Sequence, residues 1–373
     1  MVIDFSKILN KQQRQNIANA FLTPFSWLYG TGVWCRNAAF NAGILKETSY
    51  DVPIVSVGNI TVGGTGKTPH VEYIIEGLLA NYPQYHIGVL SRGYKRLTHG
   101  FVMARDTLTP RDIGDEPYQI YHKFLGHIAL AVCESRRKGI EEMLKIDPAI
   151  NLFLLDDAFQ HRYVKPKVNI VLCDYNRMPY NDRLLPLGTL REPMYRMVKQ
   201  ADFVVVTKCP NDIKPIDIKL IKEKLGLFPS TELFFSNVNY GNPVPVFPRA
   251  NVKLDNLSWM SSDDFILGLT GIANQRPFVK YLRQFQAGVR VMHYDDHHDY
   301  TREDFKDITR VYSQHKGRRK FIVTTEKDAV RILNNAYFPP EMRDYIYYIP
   351  IRVGFLNYED REFIPELVRR IQA

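Results

Sequence analysis

Residues 58–69, Gly-Asn-Ile-Thr-Val-Gly-Gly-Thr-Gly-Lys-Thr-Pro, constrain this chain more than any other stretch. They follow an apolar, β-branched run over residues 52–57 and lead into a helical pattern, the strand, loop, helix order in which a phosphate loop is built. Glycines there let backbone N–H groups turn inward around phosphate oxygens, Lys67 can reach the outer phosphates, and the Thr68 hydroxyl suits Mg²⁺. The helix that starts near Thr68 adds the positive end of its dipole. Gly63, Gly64, Thr65, Gly66, Lys67 and Thr68 are therefore the candidate nucleotide-binding residues. Thr61 stands where the longer form of the motif has its first glycine, so the match is to the shorter form GGxGK[ST].

From residue 50 the chain alternates between short apolar runs and helical patterns. Strands are predicted over 52–57, 86–91, 128–132, 151–155, 168–173 and 203–206, with helices over 68–80, 117–125 and 136–144. Such alternation implies a mainly parallel sheet covered on both faces, with ligands at the carboxyl ends of its strands. Residues 227–260, rich in Pro and Asn, read as an extended linker or hairpin. A second α/β segment follows, with strands over 265–269 and 320–324 and a helix over 277–285. At 373 residues the chain exceeds what one core usually organises. The expected division is an N-terminal helix over 1–48, a P-loop core over 49–228, a linker over 229–262 and a smaller α/β domain over 263–373.

The informative residues fall at predicted strand ends. The run 151–155 terminates in Asp156-Asp157, resembling the acidic end of a Mg²⁺-binding strand, and these carboxylates can hold the metal opposite Thr68. Arg191 and Glu192 lie in a Gly/Pro-framed loop, where they can serve phosphate and metal. Thr207-Lys208-Cys209-Pro210 echoes a guanine-reading loop but has Pro210 where the aspartate belongs, so GTP is not implied. The run Tyr294-Asp295-Asp296-His297-His298-Asp299-Tyr300 offers metal-ligand types, yet a zinc site usually spreads its ligands over several elements. Transfer to a hydroxyl needs a base at the acceptor, for which Asp115 and His297 are the candidates.

A net charge of +9 and a pI near 9.2 favour an anionic partner, whether nucleotide, nucleic acid or an acidic membrane. Residues 15–35 carry no formal charge and include Trp27 and Trp34, but polar residues, Pro24 and two glycines interrupt them, so no membrane span is expected. With Lys11, Arg14, Arg36 and Lys46 flanking it, the stretch suits a helix lying in the interface of an anionic leaflet, or an amphipathic helix on the protein's own core. The N-terminus lacks the pattern of a secretory leader. Cys35, Cys133, Cys173 and Cys209 form no CxxC pair and read as reduced, mostly buried thiols.

The motifs GNITVGGTGKTP, SRGYKR, GDEPYQI, DDAFQHR, LLPLGTLREP, LTGIANQRPF, YDDHHDY and VTTEKDAV occur in this order. Together they resemble the tetraacyldisaccharide 4′-kinase family, over roughly residues 20 to 335. The resemblance implies transfer of the γ-phosphate of ATP, with Mg²⁺, to the 4′-hydroxyl of the lipid A disaccharide 1-phosphate precursor. It implies a peripheral protein on the cytoplasmic face of the bacterial inner membrane, touching an anionic membrane surface, with no nucleic acid and no obligate protein partner. It also implies catalytic roles for Asp115 and His297, substrate contacts from Asn59, Glu116, Arg191 and one of Arg136 and Arg137, and metal contacts from Thr68, Asp156, Asp157 and Glu192. Two other classes share parts of this pattern: a P-loop switch or metal-insertion ATPase acting on a protein, and a membrane adaptor that binds nucleotide without turnover. Neither requires a base on the acceptor side.

Overall fold

The computed structural model describes residues 11–248, 251–356 and 360–373, with side chains from Asn19 in the first helix. The first ten residues of the expected 1–48 segment, and the side chains of Lys11 and Arg14, lie outside the described residues. Two compact units interleave in sequence. One is built from the chain up to Lys67, Asp157–Asn237 and the chain from Phe355; the other from Thr68–Asp156 and Val238–Gly354. The chain therefore passes from one unit to the other after Lys67, Asp156, Asn237 and Gly354, whereas the expected boundaries lay at 48, 228 and 262. Parallel strands require crossovers, so strands that pair are separated in sequence and composition shifts do not mark where units part.

In the first unit, strand Ile54–Asn59 is buried at every position. It runs parallel to Val168–Asp174, with Val57 opposite Ile170. Phe203–Thr207 and then Glu232–Tyr240 continue the parallel order. Strands covered on both faces read as unbroken apolar runs, which is why the first three were legible. Ile60, Phe159, Val171, Met197, Val204 and Phe235 pack together beneath them. The strand Glu232–Tyr240 lies inside the stretch expected to be a linker or hairpin, and helix Pro215–Leu225 was not anticipated.

Helix Lys11–Asn41 docks on this unit by its polar side chains. The Ser26 hydroxyl donates to the Leu184 carbonyl at 2.8 Å, the Tyr29 hydroxyl to the Arg191 carbonyl at 3.0 Å, and Arg36 to the Gln160 carbonyl at 2.5 Å. Phe21, Phe25, Trp27, Leu28 and Trp34 are exposed, Trp27 at 72%. Of its described side chains Phe40 is buried, with its ring 5.1 Å from that of Tyr163, whereas these five large apolar side chains point away from the core. Among the described residues, no helix is long and apolar enough to cross a membrane.

The second unit contains the parallel strands Leu152–Asp156, Ile87–Ser91 and Ile128–Val132. A separate five-stranded sheet has Gly288–His293, Phe265–Thr270, Lys320–Thr325 and Ile346–Ile349 in parallel, and Val244–Pro245 antiparallel at its edge. Proline is tolerated there because an edge strand can forgo a donor. Leu267, Phe305, Ile322 and Ile332 fill one face of this sheet, and Phe278, Phe321 and Val323 the other.

Glu192, expected to hold a metal, is committed elsewhere. Its side chain is 1% exposed, and Oε1 lies 2.6 Å from Arg196 Nη1 and 3.7 Å from Arg36 Nη1. Oε2 accepts from the Asn37 amide at 3.0 Å. This carboxylate joins the N-terminal helix to the loop after Leu190, and a buried pair that loses one partner leaves a desolvated charge. Glu192→Ala is therefore predicted to destabilise the protein by about 3 kcal/mol. Denaturant unfolding with and without Mg-ATP checks this: a structural role predicts the same loss in both, a metal-ligand role a loss confined to the nucleotide-bound protein.

Candidate active site

In the first unit the phosphate loop is held from outside by its carbonyls. Arg191 Nε donates to the Thr61 carbonyl at 3.0 Å, and Arg177 Nη2 to that of Val62 at 2.7 Å. The Thr207 hydroxyl donates to the Thr65 carbonyl at 2.9 Å, and the Lys208 ammonium to that of Gly64. The Gly63 carbonyl accepts within the loop, from the Thr65 amide at 3.0 Å. With carbonyls bound outward, the loop's concave side is left to N–H groups, the polarity an anion requires. Gly63 and Gly66 have φ of +96° and +88°, conformations a side chain would strain. Lys67 opens the helix Lys67–Asn81 and lies 3.6 Å from Asp157.

Two residues expected to touch substrate instead support this loop. Asn59 is fully buried; its amide donates to the Thr65 hydroxyl at 2.8 Å and its Oδ1 accepts from Arg191 Nη2 at 2.6 Å. Arg191 is spread over Thr61, Asn59 and, at 3.4 Å, Asp157. Lys208, in the Thr-Lys-Cys-Pro stretch that read as a failed guanine loop, also pairs with Asp174 at 2.7 Å. That stretch props the phosphate loop.

In the second unit Thr68 and Asp156 are both buried. Asp156 ends its strand with Oδ2 3.2 Å from the Ser91 hydroxyl. Arg136, expected to reach substrate, is 2% exposed and donates to the carbonyls of Cys133 and Asp156 at 2.7 and 3.1 Å. It fixes the acidic strand end from behind. Hydroxyl and carboxylate oxygens suit a hard ion such as Mg²⁺, which keeps waters and shares phosphate oxygens and so needs no cage of its own. Among the described residues no three His, Cys, Asp or Glu side chains gather for a metal, the Asp-His run included.

The same unit brings Asp115 and His297, 182 residues apart in sequence, to 2.9 Å between Oδ2 and Nδ1. Asp115 opens helix Asp115–Lys123, preceded by Gly114 at φ +94°, where a side chain would also crowd the Tyr94 carbonyl. His297 has φ +63° and its amide donates to the Gly271 carbonyl at 3.2 Å. The exposed Tyr94 ring meets its imidazole edge-on at 5.8 Å. The adjacent His298 turns instead to Asp304, at 2.9 Å, at the start of helix Arg302–Gln314. Arg331, which no motif singled out, donates to Asp115 Oδ2 through Nε at 3.0 Å and Nη2 at 2.8 Å. Burial alone would raise the Asp115 pKa, but the His297 hydrogen bond and the Arg331 charge outweigh it and hold it at about 2. Glu116, the remaining expected substrate contact, pairs with Lys327. Among the described residues the non-glycine positions with positive φ are Lys95, Asp157, Lys208 and His297, each in a motif already singled out.

A phosphate loop with an acidic strand end, and a carboxylate–imidazole pair, define a P-loop phosphotransferase acting on a hydroxyl. The profile of the tetraacyldisaccharide-1-P 4′-kinase family matches residues 18–372. The chain is 44% identical over 355 residues to the tetraacyldisaccharide 4′-kinase of Bacteroides thetaiotaomicron, covering 93% of this chain and 92% of that one. It is 41% identical over 363 residues to that of Porphyromonas gingivalis, covering 95% and 98%. The crystal structure of LpxK from Aquifex aeolicus in complex with ATP aligns with a TM-score of 0.70 at 26% identity, over 95% of this chain and 99% of that one. The chain belongs to the tetraacyldisaccharide 4′-kinase family.

The depressed Asp115 pKa carries a stability consequence with a definite sign. A carboxyl whose folded pKa of about 2 lies below its ordinary 3.8 stabilises the fold above pH ~4, and that contribution is lost as pH falls from 4 to 2. The contribution corresponds to about 2 kcal/mol. In Asp115→Asn this part of the pH–stability curve should flatten, measured by denaturant midpoints between pH 2 and 5; parallel curves for the two proteins would mean that the carboxylate gains nothing from its neighbours.

Proposed function

We propose that this chain transfers the γ-phosphate of ATP to the 4′-hydroxyl of a tetraacyldisaccharide 1-phosphate, with Asp115 and His297 acting on the acceptor. The observation that carries the reading is the 2.9 Å pair between these two residues, because a nucleotide switch has no need of a base for an alcohol. Loop N–H groups and Lys67 bind the triphosphate. The acceptor hydroxyl gives its proton to the Asp115–His297 unit as the O–P bond forms, and the leaving ADP carries away the electrons of the broken bond. Thr68 and Asp156 would hold Mg²⁺, which when bound would neutralise charge on the transferred group.

The experiment is direct. Purified protein, labelled ATP and the disaccharide 1-phosphate are incubated and the lipid examined for a second phosphate. Asp115→Ala and His297→Ala should each lower kcat by about 10²- to 10⁴-fold with little change in the KM for ATP. ATP hydrolysis without lipid phosphorylation would sink the kinase reading in favour of an ATPase.

We further propose that the protein works as a peripheral protein at the cytoplasmic face of the bacterial inner membrane, with the exposed Phe21, Phe25, Trp27, Leu28 and Trp34 in the interface. Supporting this are the aromatic character of that face and the net charge of +9, which favours an anionic leaflet. The prediction is that Trp27→Ser combined with Trp34→Ser lowers partitioning onto phosphatidylglycerol vesicles while leaving the KM for ATP unchanged. Equal partitioning of the variant and the unaltered protein would remove this face from the membrane.

A further inference from the structure

Arg331 is 8% exposed in its side chain and makes contacts that no phosphate or acceptor chemistry demands. Nε and Nη2 converge on Asp115 Oδ2, at 3.0 and 2.8 Å. The third nitrogen, Nη1, donates to the Gly271 carbonyl at 3.1 Å and to Asp328 Oδ1 at 2.9 Å. That Gly271 carbonyl is the one the His297 amide uses, and the Gly271 amide in turn donates to Asp328 Oδ2 at 2.9 Å. One guanidinium therefore holds the carboxylate of the pair directly, and the strained backbone of its histidine through a shared carbonyl. Asp328 is fully buried and is itself fixed by the Thr325 hydroxyl at 2.7 Å, so the fork starts from a rigid base.

The hydrogen bonds on Asp115 also divide its two oxygens. Oδ2 takes His297 and both Arg331 donors, while Oδ1 accepts no hydrogen bond among the described residues. A carboxylate saturated on one oxygen and open on the other presents a single accepting atom in a fixed direction. Arg331 Nη2 also comes within 3.3 Å of His297 Nδ1, and two donors cannot share one hydrogen-bond line. Because the ionised Asp115 Oδ2 can only accept, Nδ1 must carry the proton of the 2.9 Å bond, and the Arg331 approach to Nδ1 is then a close contact and not a hydrogen bond.

We infer that Arg331 is a positioning residue for the transfer reaction, which locks the Asp115 carboxylate and the His297 tautomer as one unit and aims Asp115 Oδ1 at the acceptor hydroxyl. The inference rests on the kinase reading, and it requires a fork, since a lysine ammonium cannot span Oδ2, Gly271 and Asp328 together.

The test uses the full chain with Arg331→Met and Arg331→Lys. Arg331→Met is expected to lower kcat about 10- to 100-fold with the KM for Mg-ATP within about twofold, and Arg331→Lys to recover only part of the loss. In an Asp115→Asn background, Arg331→Met should cost little more, because residues acting as a unit are non-additive. A second full loss in that background would make Arg331 a general structural residue and overturn the inference, as would an unchanged kcat in Arg331→Met. A readout independent of turnover is the ¹⁵N spectrum of labelled histidine. His297 should show one tautomer protonated at Nδ1 in the unaltered protein and exchange between tautomers in Arg331→Met. If the unaltered protein shows that single tautomer yet phosphorylates no lipid, the kinase reading fails and the clamp stands. If Arg331→Met keeps the tautomer fixed, the clamp fails and the kinase reading stands.

Discussion

The phosphate loop keeps its shape because other loops hold its carbonyls. A glycine-rich turn by itself has many conformations, and ordering it costs roughly 1–2 kcal/mol per residue. Here Arg177 and Arg191, from the connection after strand Val168–Asp174, and Thr207 and Lys208, at the end of strand Phe203–Thr207, each bind one carbonyl of residues 61–65. The amides are thereby turned to the concave side before any phosphate arrives, and binding need not supply the ordering. Two of these props are themselves tied down, Arg191 by Asn59 and Lys208 by Asp174.

The acceptor side follows the same logic with charge instead of backbone. Burial would push Asp115 toward its neutral form, in which it accepts a proton poorly. An imidazole and a guanidinium overcome that, and the outcome is an ionised carboxylate whose direction is fixed. Cations recur behind the acidic residues: Arg136 behind Asp156, Arg331 behind Asp115, Arg196 behind Glu192. Part of the basic balance of this chain is therefore internal scaffolding. The remainder, with the outward aromatic face of the N-terminal helix, is what an anionic surface would meet.

Residue types were easier to recognise than their duties. Asn59, Arg136, Arg191 and Glu192 all lie in motifs that announce a phosphate site, and the structure turns each of them to protein partners. A motif marks a neighbourhood; which atoms of it face inward depends on partners more than a hundred residues away, as for Glu192 and Asn37. Arg331 escaped notice because it stands just beyond the VTTEKDAV motif on an ordinary amphipathic helix, Glu326–Leu333, where a basic residue near the end passes as a favourable dipole contact. Strand Glu232–Tyr240 escaped because Pro and Asn crowd its surroundings and local propensity yields to pairing with a neighbouring strand.

By itself the sequence determined what local rules can carry: the alternation of strand and helix, the phosphate loop with its following helix, the acidic strand end, and Asp115 and His297 as candidates for the acceptor side. These depend on periodicity and on backbone permissions that act over a few residues. The tertiary structure alone decided the interleaved units, the meeting of His297 with Asp115 and of His298 with Asp304, the inward polar face of the first helix, and the withdrawal of Arg136 and Glu192 into ion-pair and carbonyl contacts. Those outcomes turn on which side chains meet across long sequence separations, where burial removes water and makes one hydrogen-bond partner decisive over another.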